Sequence, residues 1–152
     1  MKMHGISLTG FVLAVILVAP ATRSYAEDFP LPKDIIIVAP NQGVAENLAS
    51  FSGKWQGEWY GNRTNTLMFE QLLIVEKITG DTATVVYSWI PRWGNNTPSW
   101  IRLDASLKSD GTLVVVFPSG RTATYKMDKK GNLSATLHDS QGINNGILKK
   151  VP

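Results

Sequence analysis

The stretch Phe51-Ser52-Gly53-Lys54-Trp55-Gln56-Gly57-Glu58-Trp59-Tyr60-Gly61 constrains the fold more than any other part of the chain. Trp55, Gly57 and Trp59 stand two apart, so an extended backbone puts them on one face. Lys54, Gln56 and Glu58 then share the other face. Two indoles with a gap between them, opposed by polar residues, describe a strand laid against a core.

The segments that follow repeat the pattern. A turn at Gly61-Asn62-Arg63-Thr64-Asn65 leads into a strand over 66–78 that is largely apolar on both faces. Thr79-Gly80-Asp81 turns the chain into a strand over 82–90, with Val85, Tyr87 and Trp89 on one face. Residues 91–98 form a loop. Residues 100–107 resume as a strand, with Ile101, Leu103, Ala105 and Leu107 inward and Arg102, Asp104 and Ser106 outward. Turn signals at Ser109-Asp110-Gly111, Pro118-Ser119-Gly120, Lys130-Gly131 and Ser140-Gln141-Gly142 separate further strands over 112–117, 121–127, 133–138 and 143–151. This is an all-β pattern. Hairpins in sequence predict an eight-stranded up-and-down antiparallel barrel over 51–152, because closure removes the two edges that an open sheet would expose. A two-sheet β-sandwich is the alternative. A barrel of this size has room for side chains or one small ligand.

The chain ahead of the barrel divides in two. Residues 1–26 have a short basic start, an apolar run from Ile6 to Ala19 and small residues in Ser24-Tyr25-Ala26, the pattern of a secretory signal peptide cleaved after Ala26. A retained anchor is the alternative, although the run is shorter than the ~20 residues of a membrane span. Residues 27–50 read as a linker. Pro30, Pro32 and Pro40 enforce an extended segment, and Asn41 to Ser50 carries helical spacing with Asn41 as its cap. Ile35-Ile36-Ile37-Val38 is the candidate cover for the two-sided strand at 66–78; a loose tether is the other reading.

Charge and cysteine content exclude several functions. The leader carries Lys2 and Arg23 and none of the 12 acids, so the +3 of the whole chain falls to +1 after cleavage. Nucleic acid is not an expected partner, since phosphate binding needs a concentrated basic stripe. With no cysteine there is no disulfide, thiolate metal site or Cys nucleophile. His138, Asp139 and Ser140 imitate a triad only in letters, because adjacent residues point in different directions. Glu58, Glu70 and Glu76 could supply a carboxylate pair but read as solvated strand charges. No catalytic, metal or cofactor residue is expected, and no stable membrane span after signal cleavage.

A short helix, then Gly53-Lys54-Trp55 opening the first strand, then a meander ending in a basic strand resembles the calycin superfamily of lipocalin-like and avidin-like barrels. The signal-like residues 1–26 and the absence of cysteine lead us to expect a periplasmic or secreted protein, and the resemblance implies Trp55 plugging one end of the barrel with Lys149 or Lys150 lying across it. It implies no particular ligand.

The candidate ligand site is the stretch from Trp89 to Trp100, which holds three of the five tryptophans among arginine and amides. Aromatic faces beside oriented donors suit an apolar, aromatic or sugar ligand. Trp89, Arg92, Trp93, Asn95 and Trp100, joined by Tyr60 and Arg102, are expected to line the barrel mouth. The competing reading makes Trp89 and Trp100 wall residues and only Trp93 a loop anchor. Two functions therefore stand: a non-catalytic protein that binds a small molecule at the mouth, or a protein-interaction or inhibitor module acting through its outer surface.

Overall fold

The alternation around the paired indoles becomes strand β1 (Gly53–Gly61), the first of eight in a computed structural model that describes residues 29–140 and 142–152. The others are β2 (Leu67–Thr79), β3 (Thr82–Pro91), β4 (Ser99–Leu107), β5 (Thr112–Val116), β6 (Thr122–Met127), β7 (Leu133–Asp139) and β8 (Gly142–Val151). Each pairs antiparallel with its neighbour in sequence, and β8 returns to pair with β1 from Lys54↔Val151 to Gly61↔Asn144. The sheet is one closed up-and-down barrel, not a sandwich. The expected leader, residues 1–26, lies outside the described residues.

Closure depends on the gap between the indoles. A Cβ on Gly57 would sit 2.1 Å from the backbone oxygen of Ile147, so only glycine lets β8 come this close. Gly146 does the same under Trp59, where an added Cβ would lie 3.0 Å from the indole. Trp55 and Trp59 thus fill the interior across a seam of small residues.

The interior is a packed core. Trp59 stacks on Phe69 with ring centroids 5.4 Å apart and meets Tyr125 edge-on at 6.2 Å. One polar chain runs through it. The Trp59 N–H donates to Gln71 Oε1 at 2.6 Å, and Gln71 Nε2 donates to the Tyr125 hydroxyl at 2.8 Å. An indole N–H can only donate, so it fixes which way the amide faces. All three residues are fully buried, and burial pushes the Tyr125 phenol well above its ordinary range.

The two ends differ. At the end where β1 starts, the Trp55 N–H donates to the Phe51 carbonyl at 2.8 Å, and Lys150 Nζ stands 5.1 Å over its ring. Lys150 is the covering cation and not Lys149. Lys150 pairs with Trp55 across the ladder and shares its inward direction, while Lys149 pairs with Gln56 and points away. Helix α1 (Glu46–Ala49) precedes this plug and is much shorter than the expected 41–50. Asn41 caps nothing: its carbonyl accepts from the Val44 N–H in a separate turn, and Ala45 holds the N-cap position.

A second apolar cluster lies outside the barrel. Leu72, Ile74 and Val86 face outward and are covered by Phe29, with Leu31 and Ile35 packed beside them. The covering strap is therefore 29–35, while Ile36, Ile37 and Val38 stay exposed. An extended chain turns alternate residues away from its support, and only its first part lies over the apolar wall. The strap is tied down by Ser88, whose hydroxyl donates to the Pro30 carbonyl at 2.7 Å, and by the Val38 N–H, which donates to the Glu76 carbonyl at 2.7 Å. That carbonyl is available because Glu76 is the extra residue of a bulge between Val75↔Val85 and Lys77↔Thr84.

Candidate functional site at the open end

The end opposite the plug carries the turns after β1, β3, β5 and β7. Here the barrel wall is incomplete. β4 begins at Ser99, but it pairs with β5 only through Ala105↔Val115, Ser106↔Val114 and Leu107↔Leu113. Thus Ser99–Asp104 has no strand on its β5 side, and no backbone hydrogen bond crosses there among the described residues. The Lys108 N–H bonds toward β5 and the Leu107 N–H toward Asp81. By alternation, the amides of Trp100, Arg102 and Asp104 face the open side.

The slot explains a difference in burial. Most inward side chains near the plug are sealed, Met127 excepted, whereas Phe69, Trp89, Ile101 and Leu103 are only half-buried on the edge of the core. Phe117 closes the slot from within, meeting Tyr87 edge-on at 4.8 Å. Arg121 leans over the Phe117 ring at 5.6 Å, and its Nε donates to the Ser119 hydroxyl at 3.1 Å. It forms no ion pair among the described residues. Burial raises the Tyr87 phenol far above its ordinary range, against the nearby Arg121 charge. The open end thus presents half-buried aromatic and aliphatic side chains around a buried Tyr87–Phe117 pair, with the exposed Arg121 guanidinium beside it.

The residues expected to line the mouth do not converge there. Trp89 does, with its ring 5.8 Å from Tyr87. Trp100 lies opposite Ser88 and faces outward, 39% exposed. Arg102 is also outside, where Glu76 accepts from its Nε at 2.9 Å and Asp34 from its Nη1 at 3.1 Å. Its charge holds the Asp34 carboxyl below its ordinary value, chiefly through the direct hydrogen bond. Tyr60, Arg92 and Trp93 are each bonded to the outer wall of β1 and β2, through Glu58, Glu70 and the Leu67 carbonyl respectively, with Asn95 exposed on the loop that carries Trp93. Alternation decides this split. Trp89 is inward on β3, whereas Tyr60, Trp100 and Arg102 are outward on their strands.

The carboxylates correct a further expectation. Glu58 is solvated, but Glu70 and Glu76 are buried on the outer wall. Arg92 pairs with Glu70 and Arg102 with Glu76. Reading the sequence missed Phe69, Ile101, Phe117 and Arg121 as neighbours at the mouth. The unequal strand lengths around the 112–117 segment were the available signal.

The chain matches no protein-family model and no curated protein sequence. Among solved structures it is similar to a redesigned β-barrel, with a TM-score of 0.56 and 14% identity over 72% of this chain and 98% of that one. The likeness is one of fold. No helix among the described residues is long and apolar enough to cross a membrane.

Proposed function

We propose that this barrel is a non-catalytic binding protein for a small apolar or aromatic molecule that carries an acidic group. One observation carries the reading: Phe69, Trp89 and Ile101 are inward-facing yet half-buried beside the slot where β5 falls short of β4. These half-buried faces offer an apolar body a surface, and the exposed Arg121 offers a carboxylate its guanidinium. The plug of Trp55 under Lys150 supports a place among calycin-like barrels. The leader-like residues 1–26 support a periplasmic or secreted location.

The test is a tryptophan-fluorescence titration with anilinonaphthalene sulfonate and with a long-chain fatty acid. Both probes should change the emission. Trp89→Phe should remove most of the change, and Arg121→Gln should weaken binding about tenfold, the size of one charged hydrogen bond. No response to either probe overturns the reading.

The slot itself favours a second reading. The open amides of Trp100, Arg102 and Asp104 form a short sheet edge to which an extended peptide of a protein partner could add as a strand. Asp104→Pro removes one of those donors. It should abolish capture of such a peptide while leaving the small-molecule response in place.

A further inference from the structure

The outer wall of β1 and β2, with the loop that follows β3, carries a cluster that the mouth does not use. Trp93 is 61% exposed, yet its indole N–H donates to the Leu67 carbonyl. The ring is therefore held in one orientation with a face toward water, and a ligand need not order it. Leu67 lies across from Tyr60 in the β1–β2 ladder, and the Tyr60 hydroxyl donates to Glu58 at 2.6 Å. Glu58 stands directly opposite Glu70, and Arg92 pairs with Glu70. The Arg92 N–H donates to the Met68 carbonyl at 3.0 Å, fastening the loop to β2. Two like charges facing each other across a ladder are unfavourable. Here each carboxylate is steadied by a separate donor.

A rigid, exposed indole bordered by locked carboxylates, a phenol and a guanidinium matches the chemistry of a sugar ring. The C–H face of the ring stacks on the indole, and its hydroxyls donate to the exposed Glu58 carboxylate and accept from Arg92. Charge selects among sugars. Glu58 and Glu70 balance Arg92 and the exposed Arg63 of the neighbouring turn, so no excess of cation favours an acidic glycan. We propose that this wall binds a neutral oligosaccharide, with Trp93 as the stacking platform, Glu58, Tyr60 and Arg92 as hydroxyl partners, and the buried Glu70 holding Arg92 in place. The site is separate from the mouth, since these side chains face outward while Phe69 and Trp89 face inward.

The experiment is calorimetric titration with cellotetraose, maltotetraose, chitotetraose and, as the acidic comparison, tetragalacturonate. At least one neutral sugar should bind more tightly than the acidic one. Trp93→Ala should weaken that binding at least about tenfold, in keeping with the worth of an aromatic stacking contact. Tyr60→Phe and Glu58→Gln should each weaken it by roughly threefold to tenfold, as for one lost hydrogen bond. Lys126→Ala, on the distant β6, should leave it unchanged. The proposal is overturned if no neutral sugar binds at millimolar concentration. It is equally overturned if the acidic sugar binds best, or if Trp93→Ala binds like the parent protein with an unaltered melting temperature.

Discussion

At the scale of single residues, Gln71 has the clearest consequence. It joins Trp59 to Tyr125 inside a core that is otherwise apolar. Replacing it with alanine leaves the buried Trp59 N–H and the buried Tyr125 hydroxyl without their partner and opens a cavity. Each unsatisfied group costs about 1–3 kcal/mol, so Gln71→Ala should lose roughly 3–5 kcal/mol in urea denaturation. Tyr125→Phe removes only the hydroxyl and should lose about 1–2 kcal/mol. A loss below 1 kcal/mol for the alanine variant would mean that the amide is not sealed from water. Nothing in the sequence announced this chain. Gln71 sits among apolar neighbours, and whether it faces in or out depends on a register that only the folded ladder sets.

At the scale of elements, the strap over β2 and β3 is the part most sensitive to conditions. Its Asp34 carboxyl is held below the ordinary value of 3.8 by the hydrogen bond to Arg102. A depressed carboxyl stabilises the folded form while ionised. Its contribution is therefore complete above pH 3.8 and is lost as the pH falls below that value. The Val38 amide resonance should move toward a free-chain position in that acidic window. Asp34→Asn should abolish the pH dependence. The same strap shows what could be read in advance. The two-sided apolar character of 66–78 correctly demanded a cover, but Phe29 supplies it more than the Ile35–Val38 run does. Strand positions were legible because turn residues punctuate them. The residues that form the cover and the bulge at Glu76 were not, because each depends on which neighbour a strand finds.

At the scale of the whole molecule, the barrel is closed by a contact that tolerates no side chain. Gly57→Ala would place a methyl 2.1 Å from the Ile147 oxygen, and neither backbone can yield without parting β1 from β8. We expect this variant to lose several kcal/mol or fail to fold. Closure also makes the two ends unequal. One is sealed by Trp55 and Lys150, and the other is left slotted by the short β5. The candidate site follows from that inequality. The three tryptophans between 89 and 100 look like one cluster in sequence, yet the wall divides them into an inner and an outer set. An isotope-labelled NMR titration with anilinonaphthalene sulfonate tests this most directly. The account predicts shifts concentrated at Phe69, Trp89, Ile101, Phe117 and Arg121, with Trp55 and Lys150 unmoved. Shifts centred on the plugged end, or spread evenly over the outer wall, would contradict it.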